Sequence, residues 1–521
     1  MEESRPSSPA CGRYVLSRCL YSNGRRFAGI GSVVLVLALT CAVASSDILL
    51  DTVGFADRDR QVYGPAVRYL VNDTLRGVHA MWKDGYSDIR YNFRPRNSAW
   101  RWQDGIVINP YPRNLGCMDV DLASGQAVVG TDFLFRGEPQ TSYFRDTTEA
   151  GGLFEERHTG SGFRHNLVSI ARYSSPKFLS IRNDTLFYRG GFSQRRLGHI
   201  GPFPGYSLAS SKKSGRFGCI WAMTDGSHRG TLYLQETPNN GQSWYPIVNL
   251  SDSMNSALDR CLLGGWAYYD SIRLHLVAGF HDGDNPNSSQ IWHYAKYDSP
   301  PWCLVHQASL PETVDIGDKA LAAGRPSIGF DLHSGDYYVA WEQFDPQNIE
   351  PTTGLARADI WAARSQDSGR TWSPAIRLTE PDETSKRFPF LAESVLDTLH
   401  VLYFADRIAG FWEQGQGEQT DNTVVHMRIP TSHFSSGIGS PGTGPAKPAV
   451  RVQPSLSNQG FVLTARPGTR IQVRDATGRR VCVITAGSEP TPWGRNLPPG
   501  VYYLSVAGQL GTNATKLLKL D

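Results

Sequence analysis

Four short runs, Arg325-Pro-Ser-Ile-Gly-Phe330, Asp336-Tyr-Tyr-Val-Ala-Trp341, Asp359-Ile-Trp-Ala-Ala-Arg364 and Ala375-Ile-Arg-Leu378, follow one another between Arg325 and Thr379. Between the last two lies the turn Ser365-Gln-Asp-Ser-Gly-Arg-Thr-Trp372. Each run is rich in β-branched and aromatic residues, too short for a helix, and bounded by polar turn residues, so each reads as a strand. Four short antiparallel strands per unit is the form of a propeller blade.

The same order recurs outward from this unit. Tyr206 to Leu250 holds Phe217-Gly-Cys-Ile-Trp-Ala222, Thr231-Leu-Tyr-Leu-Gln235 and the turn Thr237-Pro-Asn-Asn-Gly-Gln-Ser-Trp244. Further units open at Val67, Leu115, Phe163, Leu262 and Arg387. Seven units between residues 62 and 430, spaced by about 50 residues, predict a β-propeller. Six blades are the alternative if one of the weaker units is irregular. Trp102 is expected at the blade position held by Trp244 and Trp372.

Composition agrees with an all-β chain: 52 Gly, 32 Pro and 22 Phe, 22 Tyr and 13 Trp suit many short strands and turns. The formal charge of +3 belongs to residues 1–44, which carry Arg5, Arg13, Arg18, Arg25 and Arg26 against two Glu. Removing them leaves 47 basic and 47 acidic residues, and a neutral chain gives a nucleic-acid partner no electrostatic support. Within that segment Arg25-Arg26, the apolar run Phe27 to Cys41 and Ala42-Val43-Ala44 read as a cleaved secretory signal. Five cysteines lie beyond it, none in a metal-binding spacing, and a Cys261–Cys303 disulfide is permitted in an oxidising compartment.

The propeller is expected over residues 45–432, followed by a Gly/Pro/Ser-rich linker at 433–450 and a small immunoglobulin-like β-sandwich at 451–521.

In the turn at Ser365–Trp372, Ser365, Asp367 and Thr371 can bond local backbone groups, Gly369 can turn left-handed, and Trp372 can wedge between sheets. Thr237, Asn239, Gly241, Ser243 and Trp244 match it position by position. This pattern resembles the Asp-box, or bacterial neuraminidase repeat, of the sialidase-like propellers. The resemblance implies a structural role for the turns, away from the mouth of the propeller. It also implies where an active site would lie: three Arg clamping a carboxylate, a Tyr nucleophile activated by Glu, and an Asp acid/base. The family's Arg-Ile-Pro near the first strand is absent. Arg428-Ile-Pro430 ends the propeller, and Phe93-Arg-Pro-Arg96 near the start only imitates it.

Arg260, Arg325 and Arg387 precede the first strands of successive units and could form an anion-binding ring at the channel, or could pair with Glu342, Glu393 and Asp406. Tyr268, Tyr269 and Tyr403 could face the channel. Asp282 and Asp284 gather oxygen ligands that could hold Ca²⁺, though a solvated turn explains them as well; no other cofactor is expected.

The last domain carries Val473-Arg-Asp475-Ala-Thr-Gly478-Arg479-Arg-Val481, then Leu497-Pro-Pro-Gly500-Val-Tyr502, then a Lys516-containing terminal strand. It resembles the C-terminal sorting domain of type IX secretion substrates. That likeness implies a secreted or surface-displayed protein whose partners are the secretion machinery and a glycan or surface protein. The chain is expected to be monomeric and a non-catalytic or carbohydrate-binding propeller, with an exo-sialidase or related glycoside hydrolase as the alternative.

Overall fold

The computed structural model describes residues 48–57, 67–435 and 450–519, apart from 87, 110, 112, 114–115, 191–192, 201–204, 225–229, 255–259, 271–272, 283–284, 454–455, 458–460, 466–469, 476–478, 486–490 and 507–514. The signal at 1–44 and most of the linker therefore lie outside the described residues. The chain divides into two compact units, Met1–His433 and Phe434–Asp521. Among the described residues no helix is long and apolar enough to cross a membrane.

Unit one is a propeller of seven sheets taken consecutively along the chain. The first strands of blades I to VII are Leu70–Asp73, Gly116–Asp121, Arg164–Ser169, Tyr206–Ser210, Arg260–Tyr269, Ala323–Asp331 and Ser385–Leu391. Each first strand contacts the first strand of the next blade, and that of blade I returns to blade VII. Blade VI has the strands read from sequence: Ala323–Asp331, Tyr337–Ile349, Ala356–Ser365 and Ile376–Arg377. Its middle strands are buried on both faces because sheets flank each side, so both sets of alternating side chains in Tyr337–Trp341 and Ile360–Ala363 are apolar or aromatic.

Blade VII takes only three strands from its own stretch, Ser385–Leu391, Thr398–Asp406 and Asp421–Pro430. The fourth is Leu49–Asp57, paired antiparallel with Asp421–Pro430 from Leu49↔Arg428 to Asp57↔Asp421. This strand also locks onto blade I, where Trp82 Nε1 donates to the Phe55 carbonyl at 3.0 Å. Gly54 is required at that approach: a Cβ there would lie 2.5 Å from the Trp82 ring.

Arg68 fills the channel between the first strands. Only 1% exposed, it donates to Glu393 at 2.6 Å and to the carbonyls of Met118 and Val168, and it lies over the Trp266 ring. It thus ties blade VII to blades I, II, III and V. Asp119, 3.6 Å from Arg68, also binds Lys212 at 2.7 Å.

The two matching turns have the hydrogen bonds their residues suggest. Ser365 Oγ accepts from the Gly369 N–H at 2.8 Å, and Asp367 accepts from the Thr371 N–H at 2.9 Å and its hydroxyl at 2.6 Å. Thr237 and Asn239 play the same parts for Gly241 and Ser243. Trp372 meets His293 edge-on, and Trp244 meets Tyr188, each on the third strand of the preceding blade. In blade I that position belongs to Trp100, edge-on to His426, and not to Trp102, which packs on Tyr91 of its own blade. The turn after Asp146 does the same in blade II: Asp146 accepts from the Gly152 and Leu153 N–H groups, and Phe154 meets Tyr91.

Cys303 is a free thiol. Cys261 and Cys303 lie on the first and fourth strands of blade V, at least about 14 Å apart at ~4.8 Å per strand, which no disulfide spans.

Unit two has a three-stranded sheet, Val450–Gln453, Phe461–Ala465 and Thr491–Trp493, and a five-stranded one built on Arg470–Asp475, Arg480–Thr485, Gly500–Val506 and Thr515–Lys519. Phe461 and Leu463 of the first pack with Ile471, Val473, Tyr502 and Leu504 of the second.

Two outcomes are expected for the propeller. Replacing Arg68 by Ala leaves Glu393 and Asp119 buried without it and lowers stability by about 3–5 kcal/mol, read from the denaturant midpoint. Asp367→Ala costs about 1 kcal/mol, whereas Asp367→Asn costs less, because Asn239 already performs this role in blade IV.

Candidate functional site

In every blade the first strand runs from one end of the channel to the other. One end, here the mouth, carries the turns joining second to third strands and the crossings between blades. The opposite end carries the turns joining first to second and third to fourth strands.

Near the mouth, the first strands of blades VI and VII each bulge, between Gly324 and Ser327 and between Arg387 and Phe390. The left-handed residues are Arg325 (φ 49°) and Phe388 (φ 54°), each followed by Pro. Arg325 and Arg387 are therefore one position out of step at these bulges and are not strictly equivalent. Both nevertheless reach one carboxylate, Glu342 on the second strand of blade VI. Arg387 donates to it twice at 3.1 Å, the Phe388 N–H donates at 2.9 Å, and Arg325 pairs with it closely. The guanidinium of Arg387 lies over Phe344 and Phe411, and that of Arg325 over Phe388. Burial would raise the Glu342 pKa, but Arg325 and Arg387 outweigh it and hold the group below the ordinary carboxylate range. Two guanidinium groups thus share one carboxylate, and both are already engaged by it. The Arg260 backbone sits opposite His281 on the first strand of blade V; its side chain lies outside the described residues.

The tyrosines do not join this cluster. Tyr268 and Tyr403 are buried, and burial pushes both phenols well above their usual value. Tyr269 does donate to a glutamate, Glu236, at 2.8 Å. Tyr269 ends its first strand and Glu236 lies near the end of its third, so this pair is at the end opposite the mouth, where Lys296 also binds Glu236. A Tyr–Glu pair and two converging Arg are both present, but at opposite ends of the blades.

What the mouth does present is aromatic. Tyr86 is 83% exposed on the second-to-third-strand turn of blade I, and Tyr111 is 70% exposed on the crossing from blade I to blade II. Phe135 on the corresponding turn of blade II and Trp412 on that of blade VII are also exposed. The three blades are neighbours. The Tyr86 turn is braced by Asp84, which accepts from the Tyr86 and Asp88 N–H groups and binds Arg90 at 2.6 Å. Tyr111 is anchored through its carbonyl, which accepts from the Asn109 side chain. The sequence signal for both is an aromatic alone among turn residues, Asp84-Gly-Tyr86 and Pro110-Tyr111-Pro112.

Asp284 and the Asp282 side chain lie outside the described residues, and among the described residues no group of three or more metal-binding side chains occurs. In unit two Asp475 accepts from the Arg479 N–H and binds its guanidinium at 3.0 Å, closing the hairpin; the Tyr502 hydroxyl donates to the Pro498 carbonyl. Gly500 opens the strand Gly500–Val506, and Lys516 pairs through its backbone with Tyr503. Gly478 and the Lys516 side chain are outside the described residues.

No protein-family model matches the chain, and no curated protein matches it in sequence. Among solved structures it is similar to a PL25 ulvan lyase at 8% identity, covering 72% of this chain and 95% of that one, with a TM-score of 0.46. It is also similar to the BP39L lectin of Burkholderia pseudomallei (11% identity, 65% and 92% covered, TM-score 0.41) and to the Hadza microbial sialidase Hz136 (11%, 70% and 66%, TM-score 0.37). The propeller assignment rests on the seven closed sheets themselves.

The Glu342 cluster makes a pH prediction. A folded-state pKa below the unfolded value of about 4.3 means its stabilisation is complete above that pH and is lost as pH falls through the lower, folded value. Urea midpoints are expected to drop below about pH 4. Glu342→Gln is expected to be less stable at neutral pH, with a shallower acid limb.

Proposed function

We propose that this chain is an exported propeller that binds a glycan on its mouth face without cleaving it. The observation that carries this reading is the set of exposed, braced aromatic side chains on adjoining blades, Tyr86 and Tyr111 above all. A flat ring held by a rigid turn offers an apolar face to the C–H side of a sugar and loses little side-chain entropy on binding. Against turnover stands the engagement of both Arg325 and Arg387 by Glu342, which already occupies these guanidinium groups with a carboxylate of the chain itself. The Ser365–Trp372 and Thr237–Trp244 turns are read as Asp-boxes serving the fold. For delivery, the Ala42-Val43-Ala44 signal and the Asp475–Arg479 hairpin, with Gly500-Val-Tyr502, support passage across the inner membrane followed by type IX sorting to the cell surface.

The test is a glycan array probed with the purified full chain, followed by titration of the best ligand. The Tyr86→Ala, Tyr111→Ala double variant is expected to bind at least about tenfold more weakly with an unchanged melting temperature. Full retention of binding would remove this reading. Release of a fluorogenic sialic-acid glycoside between about pH 4 and about pH 8 would overturn the non-catalytic part.

A further inference from the structure

At the end opposite the mouth, a cleft of about 260 Å³ opens between blades I and VII. Arg94 and Arg428 line it from the third strands of the two blades, joined by Arg96, Asn97, Thr74 and Thr398. The two guanidinium groups share a single carboxylate. Asp51, on the closing strand, is 3.2 Å from Arg428 and 3.8 Å from Arg94. The Nε atoms of Arg94 and Arg428 are both buried without a hydrogen-bond acceptor, and Asp51 Oδ2, 3.8 Å from the Arg94 Nε, is likewise without a hydrogen bond. Arg96 is exposed and adds a third positive charge.

Other charges do not cancel this excess. Asp73 lines the cleft but pairs with Arg76 at 3.0 Å, and Asp397 is turned to solvent, 3.7 Å from His333. His400 also lines the cleft, stacked on the fully buried His426 with 3.0 Å between ring nitrogens. Burial keeps both imidazoles neutral at ordinary pH, that of His426 pushed down to about 4. Burial, together with the neighbouring Arg428, also lowers the Arg94 pKa, as expected for like charges with too little counter-charge. Buried, unsatisfied guanidinium donors are costly, and an oxyanion is the group whose geometry suits them.

We propose that this cleft binds one monosaccharide-sized sugar acid, its carboxylate or sulfate held by Arg94 and Arg428 and its hydroxyls by Thr74, Asn97 and Thr398. The volume suits a single small unit rather than a chain. The amide and hydroxyl lining suits a polyol better than a bare inorganic ion. This site is separate from the mouth and does not rest on the aromatic residues there.

Calorimetric titration of the full chain tests it, with glucuronate, galactose 6-sulfate, inorganic sulfate and neutral galactose as probes. At least one sugar acid is expected to bind and galactose is not, with affinity falling as salt rises. Arg428→Gln and Arg94→Gln are each expected to weaken binding about tenfold or more. Because Arg94 and Arg428 also hold the seam between blades I and VII, the exposed Arg96→Gln, measured beside its melting temperature, is the second arm and is expected to weaken binding about threefold. Tyr86→Ala with Tyr111→Ala is expected to leave it unchanged, which separates this site from the mouth. Absence of binding by both sugar acids, equal binding by the arginine variants, or binding of inorganic sulfate alone would each overturn the proposal.

Discussion

Seven sheets arranged around a channel leave two raw edges unless the last blade is joined to the first. The pairing of Leu49–Asp57 with Asp421–Pro430 is that join, and everything at the boundary of blades I and VII depends on it. Because the fourth strand of blade VII comes from the start of the chain, the ring cannot spread without breaking a full antiparallel ladder. Trp82 and Gly54 reinforce the closure, and Asp51 on the same strand supplies the counter-charge to Arg94 and Arg428. A structural seam and a charged cleft therefore share one nine-residue strand.

Charge inside the propeller follows a consistent logic. Arg68, Arg325 and Arg387 are all buried or nearly so, and each has a carboxylate within direct reach together with an aromatic ring over the guanidinium. Desolvating an arginine costs less when a carboxylate meets its charge and a ring covers its flat face. Arg325 and Arg387 share Glu342 much as Arg94 and Arg428 share Asp51, but the second pair lines an open cleft and leaves both Nε donors unmatched.

Among the described residues, packing between blades uses one device four times. A ring at the end of the third-to-fourth-strand connection, Trp100, Phe154, Trp244 or Trp372, meets an aromatic or imidazole on the third strand of the preceding blade. Two of these were legible because their turns keep the full Ser/Thr-x-Asp/Asn-x-Gly spacing. Phe154 was not, since its turn begins at Asp146 and carries an extra residue. Trp100 was displaced from the expected Trp102 because two tryptophans two residues apart cannot be told apart by spacing alone. The arginines show the same limit. Arg325 and Arg387 were legible as charged residues at blade entries, but the bulges that put them one position out of step, and the single Glu342 they share, arise only when blades VI and VII pack.

By itself, the sequence determined an all-β chain of short-stranded units, seven by count with six left open, with two tight, hydrogen-bonded turns and a small β domain after the linker. Those features are local: strand period, turn chemistry and composition are written in neighbouring residues. Only the tertiary structure decided which strand closes the ring, that the Tyr269–Glu236 pair lies at the far end of the blades from Arg325 and Arg387, and that Asp51 meets Arg94 and Arg428. Each of these depends on pairing between residues far apart in the chain, whose register and direction no local pattern encodes.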